Sequence, residues 1–169
     1  NFIMHCPECN SELIRDEGEA QHYCPNRDGC PPQIKGKMIH FIGRKQMNID
    51  GIGSETIDLL YSEGLVKNIA DLYELKKTDI LPLERMAEKS ADNIIKGIED
   101  SKKTPFHKLL FALGIRDVGE TVAKKLVAHF MSMDALLKTN QEELESVDEI
   151  GDKIAVSVLE FILIQIQLF

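Results

Sequence analysis

A short turn pattern returns four times along this chain and limits what the chain can fold into. Ile49-Asp50-Gly51-Ile52-Gly53 precedes Ser54-Glu55-Thr56-Ile57. Ile115-Arg116-Asp117-Val118-Gly119 precedes Glu120-Thr121-Val122-Ala123, and Val147-Asp148-Glu149-Ile150-Gly151 precedes Asp152-Lys153-Ile154-Ala155. A weaker copy, Leu83-Glu84-Arg85-Met86-Ala87, fills the gap. The aligned anchors Gly53, Ala87, Gly119 and Gly151 stand 34, 32 and 32 residues apart. A period of that size is one supersecondary unit stacked on its neighbours. Each unit reads helix, tight turn, helix. Phe106, Leu109, Leu110 and Leu113 follow the spacing of one helix face, as do Ala123, Leu126, Val127 and Phe130. Thr104 is the expected N-cap ahead of Pro105, Gly114 the expected stop, and Thr139 with Glu142 the expected capping box of the last unit.

The turn pattern carries a chemical implication. Glycine lets the backbone turn sharply and approach a partner closely. The following helix points free N–H groups and its positive end at the same spot, which makes an anion site from backbone alone. Such a site reads phosphate and ignores base sequence. The candidate contacts are Gly51, Ile52 and Gly53 with Arg44 and Lys45 upstream, and Val118 and Gly119 with Arg116, Lys124 and Lys125. The second copy has Arg85 and Ala87 in the glycine positions, so Lys89 and Arg85 are its candidate phosphate ligands. The fourth is ringed by Asp148, Glu149 and Asp152, and is expected to be mainly structural. A bundle with glycine helix caps explains one such turn, but less readily four in register.

All four cysteines lie in the first 30 residues, as Cys6, Cys9, Cys24 and Cys30. Two close pairs joined by a loop that can fold back suit a tetrahedral thiolate zinc site. Disulfides are disfavoured, because the start of the chain shows no secretory pattern. Four sulfurs complete the shell, so the site reads as structural, with His5 and His22 as bystanders. Leu13-Ile14-Arg15 and Gln21-His22-Tyr23 around Gly18 read as a short hairpin.

Net charge is −8, which at first counts against a nucleic-acid partner. The charge is segregated, however. Residues 29–49 hold Lys35, Lys37, Arg44 and Lys45 without an acid, whereas residues 140–152 hold six acids without a Lys or Arg. Phosphate binding depends on local charge rather than the average. The apolar run Phe161-Ile162-Leu163-Ile164 is too short to span a bilayer, so a cytoplasmic protein with no membrane partner is expected.

With these residues in order, the chain resembles the C-terminal half of bacterial NAD-dependent DNA ligases from about residue 4 to 161. The resemblance rests on the cysteine spacing, on the stretch from His40 to Gly53, on Glu88-Lys89-Ser90-Ala91-Asp92-Asn93-Ile94 and on Leu113 to Glu120. It implies a mainly α chain: a small four-cysteine zinc finger over 1–33, four tandem helix-hairpin-helix motifs over 34–161, and an atypical tail over 162–169. It also implies a nicked duplex DNA partner, a role in sealing nicks during replication and repair, and a monomer working with N-terminal domains of the same enzyme. Zinc is the only cofactor implied for this part; NAD and Mg belong to the catalytic domains.

No catalytic residue is expected here. The family attacks NAD with the lysine of a Lys-x-Asp-Gly motif, and Asn48-Ile49-Asp50-Gly51 mimics it with an amide that cannot form the phosphoramidate. His40, His107 and His129 fall in helical patterns and read as core or surface. The competing readings are a scaffold from another repair protein, or a protein-interaction module, which the acidic fourth unit would suit.

Overall fold

The computed structural model describes residues 3–15, 18 and 20–167, with backbone alone for 165–167. Among these residues the chain is helical from residue 31 onward, and its N-terminal part holds only isolated bridges. His5 pairs with Glu12, and Ile14 with Tyr23. Ile14 and Tyr23 exchange both backbone hydrogen bonds, at 3.0 and 2.9 Å. The expected hairpin is therefore reduced to one rung about Gly18, at φ 86°.

The first helix, α1 (Pro31–Ile42), opens with prolines where no N–H is needed. The carbonyl of Cys30 accepts from Gln33 and Ile34 at 3.0 Å, so the last cysteine is also the helix cap. The expected boundary at 33/34 falls inside this helix. Then follow α2 (Ser54–Ser62), the short α3 (Asp71–Glu74) and α4 (Lys77–Ile80), and α5 (Glu88–Ser101). The second half holds α6 (Phe106–Ala112), α7 (Glu120–Phe130), the short α8 (Met133–Leu137) and α9 (Gln141–Glu145), and α10 (Asp152–Gln167).

Two apolar cores result, one for each pair of turn units. The first gathers Met38 and Phe41 of α1, Ile57 and Leu60 of α2, Leu72, Ile80, and Ile94 and Ile98 of α5. The second gathers Leu110, Leu126, Phe130, Leu136, Leu144, Val158 and Ile162. Burying side chains of this size contributes about 1.5–3 kcal/mol each. Ile162, the first residue of the tail, is only 4 % exposed in that second core. α10 continues to Gln167, and residues 168–169 lie outside the described residues.

The two halves meet where α1 touches α6. His40 Nε2 lies 3.1 Å from the carbonyl of Phe111. A carbonyl only accepts, so Nε2 carries the proton. Nδ1 is left to accept from Gln46 Nε2 at 3.3 Å. His40 and Phe111 also pack edge to face, 5.3 Å apart. This gives His40 a structural role.

Two helix starts shift by one residue from their expected places. Pro105, with extended ψ of 145°, is itself the cap of α6. Thr104 instead sends its hydroxyl to the Met47 carbonyl at 3.3 Å, tying α6 to the first turn. Asn140 caps α9 by accepting from the Glu143 N–H at 2.9 Å. Thr139 bonds the Glu143 carboxylate instead, at 2.9 Å.

The packing of α5 on the first turn is the tightest backbone approach described. A Cβ at Gly97 would overlap the Asp50 carbonyl oxygen and stand 3.0 Å from Asp50 N. Gly97→Ala should therefore cost about 1–3 kcal/mol, despite alanine's higher helix propensity. A melting temperature at or above that of the parent chain would show that the contact can relax.

Candidate metal centre and nucleic-acid interface

The four cysteine sulfurs lie within 4.8 Å of one another. Cys6 and Cys30 are 3.9 Å apart and Cys9 and Cys24 are 3.5 Å apart, and none is in a disulfide. A tetrahedral zinc with Zn–S of ~2.3 Å places its sulfurs about 3.8 Å apart, so the donor set fits. The metal-free thiols differ in acidity. A hydrogen bond with Ser11 chiefly lowers Cys9, to about 6. Burial pushes Cys30 up to about 12 and raises Cys24. Gln33 donates to the Cys24 carbonyl at 2.8 Å, so α1 also braces the second cysteine pair.

The four turns share one backbone geometry, although their sequences differ. The residue two before each anchor is left-handed in every copy: Gly51 at φ 85°, Arg85 at 63°, Asp117 at 62° and Glu149 at 65°. The anchors Gly53, Ala87 and Gly119 are extended. Each anchor carbonyl accepts from the N–H four residues on: Ile57, Ala91, Ala123 and Ala155, at 2.9–3.0 Å. The residue before the anchor points inward, with Ile52, Val118 and Ile150 buried. The missing glycines of the second and fourth copies therefore leave the turn intact. Three side chains accept a left-handed conformation that only glycine adopts without cost.

Helix starts in this fold are of two kinds, and α1, α3 and α6 share the uncapped kind with the helices that follow the turns. α8 and α9 are capped by the side chains of Ser132 and Asn140. The helices after the first three turns, α2, α5 and α7, have no side-chain cap. Their first N–H groups are thus left without a side-chain acceptor, as an external anion requires. A Cβ at Gly53, Gly119 or Gly151 would meet nothing within 4 Å. Those three anchors therefore border open space.

The charged side chains do not all stand where the sequence pattern puts them. Lys35 pairs with Asp58 and Lys37 with Asp28, each at 2.7 Å. Arg44, Lys45 and Lys89 are exposed. Lys124 pairs with Glu120 at 2.7 Å on the first turn of α7. That hydrogen bond, with the charges of Lys124, Lys45 and His107, holds the Glu120 carboxyl below its usual range. Lys45, ahead of the first turn, and Lys124, behind the third, thus act on one neighbourhood. His107 belongs to it as well, and only the tertiary fold reveals that.

Lys125 reaches away from the third turn to the fourth. Its ammonium lies 2.8 Å from Asp148 and 2.9 Å from Glu149. In return Lys153 of α10 pairs with Asp117 of the third turn at 3.2 Å, and Ser157 donates to Asp117 at 3.4 Å. Arg116 lines a cleft of ≈ 590 Å³ with Cys6, Cys24, Cys30 and Arg27, so the third turn also faces the zinc module. Asn48, the residue in the place of a catalytic lysine, is left-handed at φ 49°, and its N–H bonds the Gly43 carbonyl at 2.9 Å. It acts in the chain reversal after α1.

Comparison with known proteins agrees with this geometry. Residues 5–31, containing all four cysteines, match the model of the NAD-dependent DNA ligase C4 zinc finger domain. Residues 44–100 match a SAM-like helix-hairpin-helix tandem and residues 108–164 a helix-hairpin-helix motif. Curated DNA ligases of Christiangramia forsetii and Phocaeicola vulgatus are 61 % and 64 % identical over 95 % and 94 % of this chain. That of Flavobacterium psychrophilum is 61 % identical over 95 %. The chain is thus similar to NAD-dependent DNA ligases in its zinc finger and to curated DNA ligases over nearly all of its own length. It spans about a quarter of the length of these relatives, 24 % in each case. The ligase zinc finger is the four-cysteine module at the N-terminus, and the two tandem matches fall on the two cores. Among the described residues no helix is long and apolar enough to cross a membrane.

The acidity of the thiols sets how zinc uptake depends on pH. With Cys30 and Cys24 raised by burial, both are protonated near neutral pH, and zinc must displace those protons. Zinc affinity should therefore fall at least about a hundredfold per pH unit as pH drops below neutral, at least two protons being released per metal. A competition titration with a chromogenic chelator at several pH values measures this. Affinity flat with pH would mean that the thiols are already ionised.

Proposed function

We propose that this chain is the duplex-gripping part of an NAD-dependent DNA ligase, holding nicked duplex DNA for catalytic domains elsewhere in the enzyme. The observation that carries this reading is the repeated turn: four copies share one backbone, and the helices of the first three start without a side-chain cap. Phosphates would sit on the N–H groups at Gly53–Ser54 and Gly119–Glu120. Arg44, Lys45, Arg116 and Lys124 would supply charge, and Lys89 would contribute at the second turn. Contact to phosphate rather than base edges makes the grip independent of sequence. Zinc, bound by Cys6, Cys9, Cys24 and Cys30, would be structural, fixing the module that caps α1.

On this reading the functional units are 1–33 and 34–161, and the chain acts as a monomer in the bacterial cytoplasm, in nick sealing during replication and repair. NAD and Mg would be used by other domains. By itself the chain would be inactive, since its Lys-x-Asp-Gly position is Asn48. After incubation with NAD and Mg, intact-mass measurement should show no added adenylate. An adduct on any lysine would overturn the assignment of catalysis to other domains.

The grip is tested at the anchors, where a side chain fits without disturbing the fold. Gly53→Gln and Gly119→Gln should each weaken duplex binding roughly tenfold, the worth of one charge-assisted hydrogen bond to phosphate. Gly151→Gln should cost less than about threefold, because Asp148 and Glu149 already repel phosphate there. Fluorescence anisotropy on nicked duplexes of unrelated sequence, with salt titrated, reads all three. Equal losses at Gly151 and Gly119 would defeat the ranking. Binding that is insensitive to salt would defeat the phosphate mechanism itself and favour a protein-docking module.

A further inference from the structure

We propose that Asp148 and Glu149 act as a brake on DNA binding, holding Lys125 in reserve beside the fourth turn. The inference rests on the DNA-gripping function proposed above. Lys125 belongs to the third unit by sequence, yet its side chain lies against the fourth, with its ammonium between two carboxylates at 2.8 and 2.9 Å. The lysine side chain is 25 % exposed, whereas those of Asp148 and Glu149 are 89 % and 64 % exposed. The acids therefore stand on the outer side of the cluster, between the cation and whatever approaches. Glu149 is the left-handed residue of its turn, so its carboxylate is carried at the tip of the hairpin. It occupies the position of Gly51 in the first turn.

The local charge follows from this arrangement. One lysine and two carboxylates leave this cluster with a net charge of −1, and Asp152 adds a further acid beside the anchor, Gly151, that opens onto free space. A phosphate approaching the turn is repelled, and it gains Lys125 only by displacing both acids. Ion pairs with such exposed carboxylates hold weakly, so a polyanion held at the other turns can displace them. The fourth turn then engages late and weakly, and the array can release a duplex. The second link between these units, Lys153 with Asp117, is separate from the cluster and keeps the two hairpins together when Lys125 moves.

The test is a double-mutant cycle on the full chain, read by anisotropy with a labelled nicked duplex at fixed salt. Asp148→Asn with Glu149→Gln should tighten binding at least about fivefold and raise the dependence on salt by about one counterion. Lys125→Gln alone should weaken binding less than about threefold, but on the Asp148→Asn/Glu149→Gln background it should weaken binding about tenfold, because there the lysine meets phosphate. Equal costs of Lys125→Gln in the two backgrounds would overturn the brake: the gain would then be a general effect of charge. No gain from the double variant, with melting unchanged, would overturn it too, leaving the cluster as a clip between hairpins. If the double variant melts early, Asp148→Asn alone should show about half the gain in free energy, and its failure to do so counts equally against the brake. A parent chain that binds no duplex at low salt overturns the grip itself, and the brake with it. Binding lost in Gly119→Gln but unmoved in the cycle overturns only the brake.

Discussion

The left-handed residue two before each anchor is the constraint on which the rest of the array depends. It reverses the chain within a few residues, buries the next side chain and releases the following helix with its first N–H groups uncovered. It also fixes the partner hairpin. Gly51 packs on the backbone of Asn93, Asp117 accepts from Ser157, and Glu149 pairs with Lys125. Asn93, Ser157 and Lys125 each stand six residues after the anchor of their own turn. One register therefore joins the first turn to the second unit, the third to the fourth and the fourth back to the third. Glycine is needed where backbone meets backbone, as at Gly51 and Gly97. Where a side chain reaches across instead, Asp and Glu suffice, at the modest strain of a left-handed non-glycine residue.

This explains which parts of the fold are legible in the sequence. The repeat, the four cysteines and the helix faces are local patterns of period and spacing, and they lead directly to a zinc module followed by four hairpins. The glycine count is a poorer guide. By that count Arg85 and Glu149 are departures, yet they hold the same left-handed backbone as Gly51. Charge is legible only in part. Lys125 lies next to Lys124 in sequence, but the two sit about 100° apart around α7. One therefore serves the third turn and the other the fourth. Lys35 and Lys37 count toward a basic stretch in the sequence, but the fold places Asp58 and Asp28 beside them. The caps at Pro105 and Asn140 fall one residue beyond the expected ones because Thr104 and Thr139 bond to distant or side-chain acceptors.

An acidic chain that grips a polyanion must separate its charges in space as well as in sequence. Cations left exposed near the first three turns, Arg44, Lys45 and Lys89, make no ion pair among the described residues. Those on helix flanks are consumed by neighbours, such as Lys96 by Asp100 and Lys77 by Asp92. The acids of the last unit gather around one lysine from the preceding helix. Backbone donors bear more of the work where side-chain charge is scarce, and this is why uncapped helix starts matter here. A capping serine or asparagine at Gly53 or Gly119 would satisfy the same N–H groups internally and remove them from an external ligand.

The zinc module and the array are coupled through one helix. Cys30 is a metal ligand by its sulfur and the cap of α1 by its carbonyl, while α1 buries Met38 and Phe41 in the first core and meets the second through His40. Displacing Cys30 therefore moves a helix that touches both cores, whereas displacing Cys9, on the first knuckle, moves only the loop around it. Loss of the metal need not unfold the array, because the apolar cores begin at Met38 and are made by helices of their own. It would instead free the start of α1. The orientation of α1 sets where Lys45 stands relative to Glu120 and Lys124, where cations of the first and third turns converge. A structural zinc some distance from any phosphate can in this way govern the geometry of the grip without touching DNA.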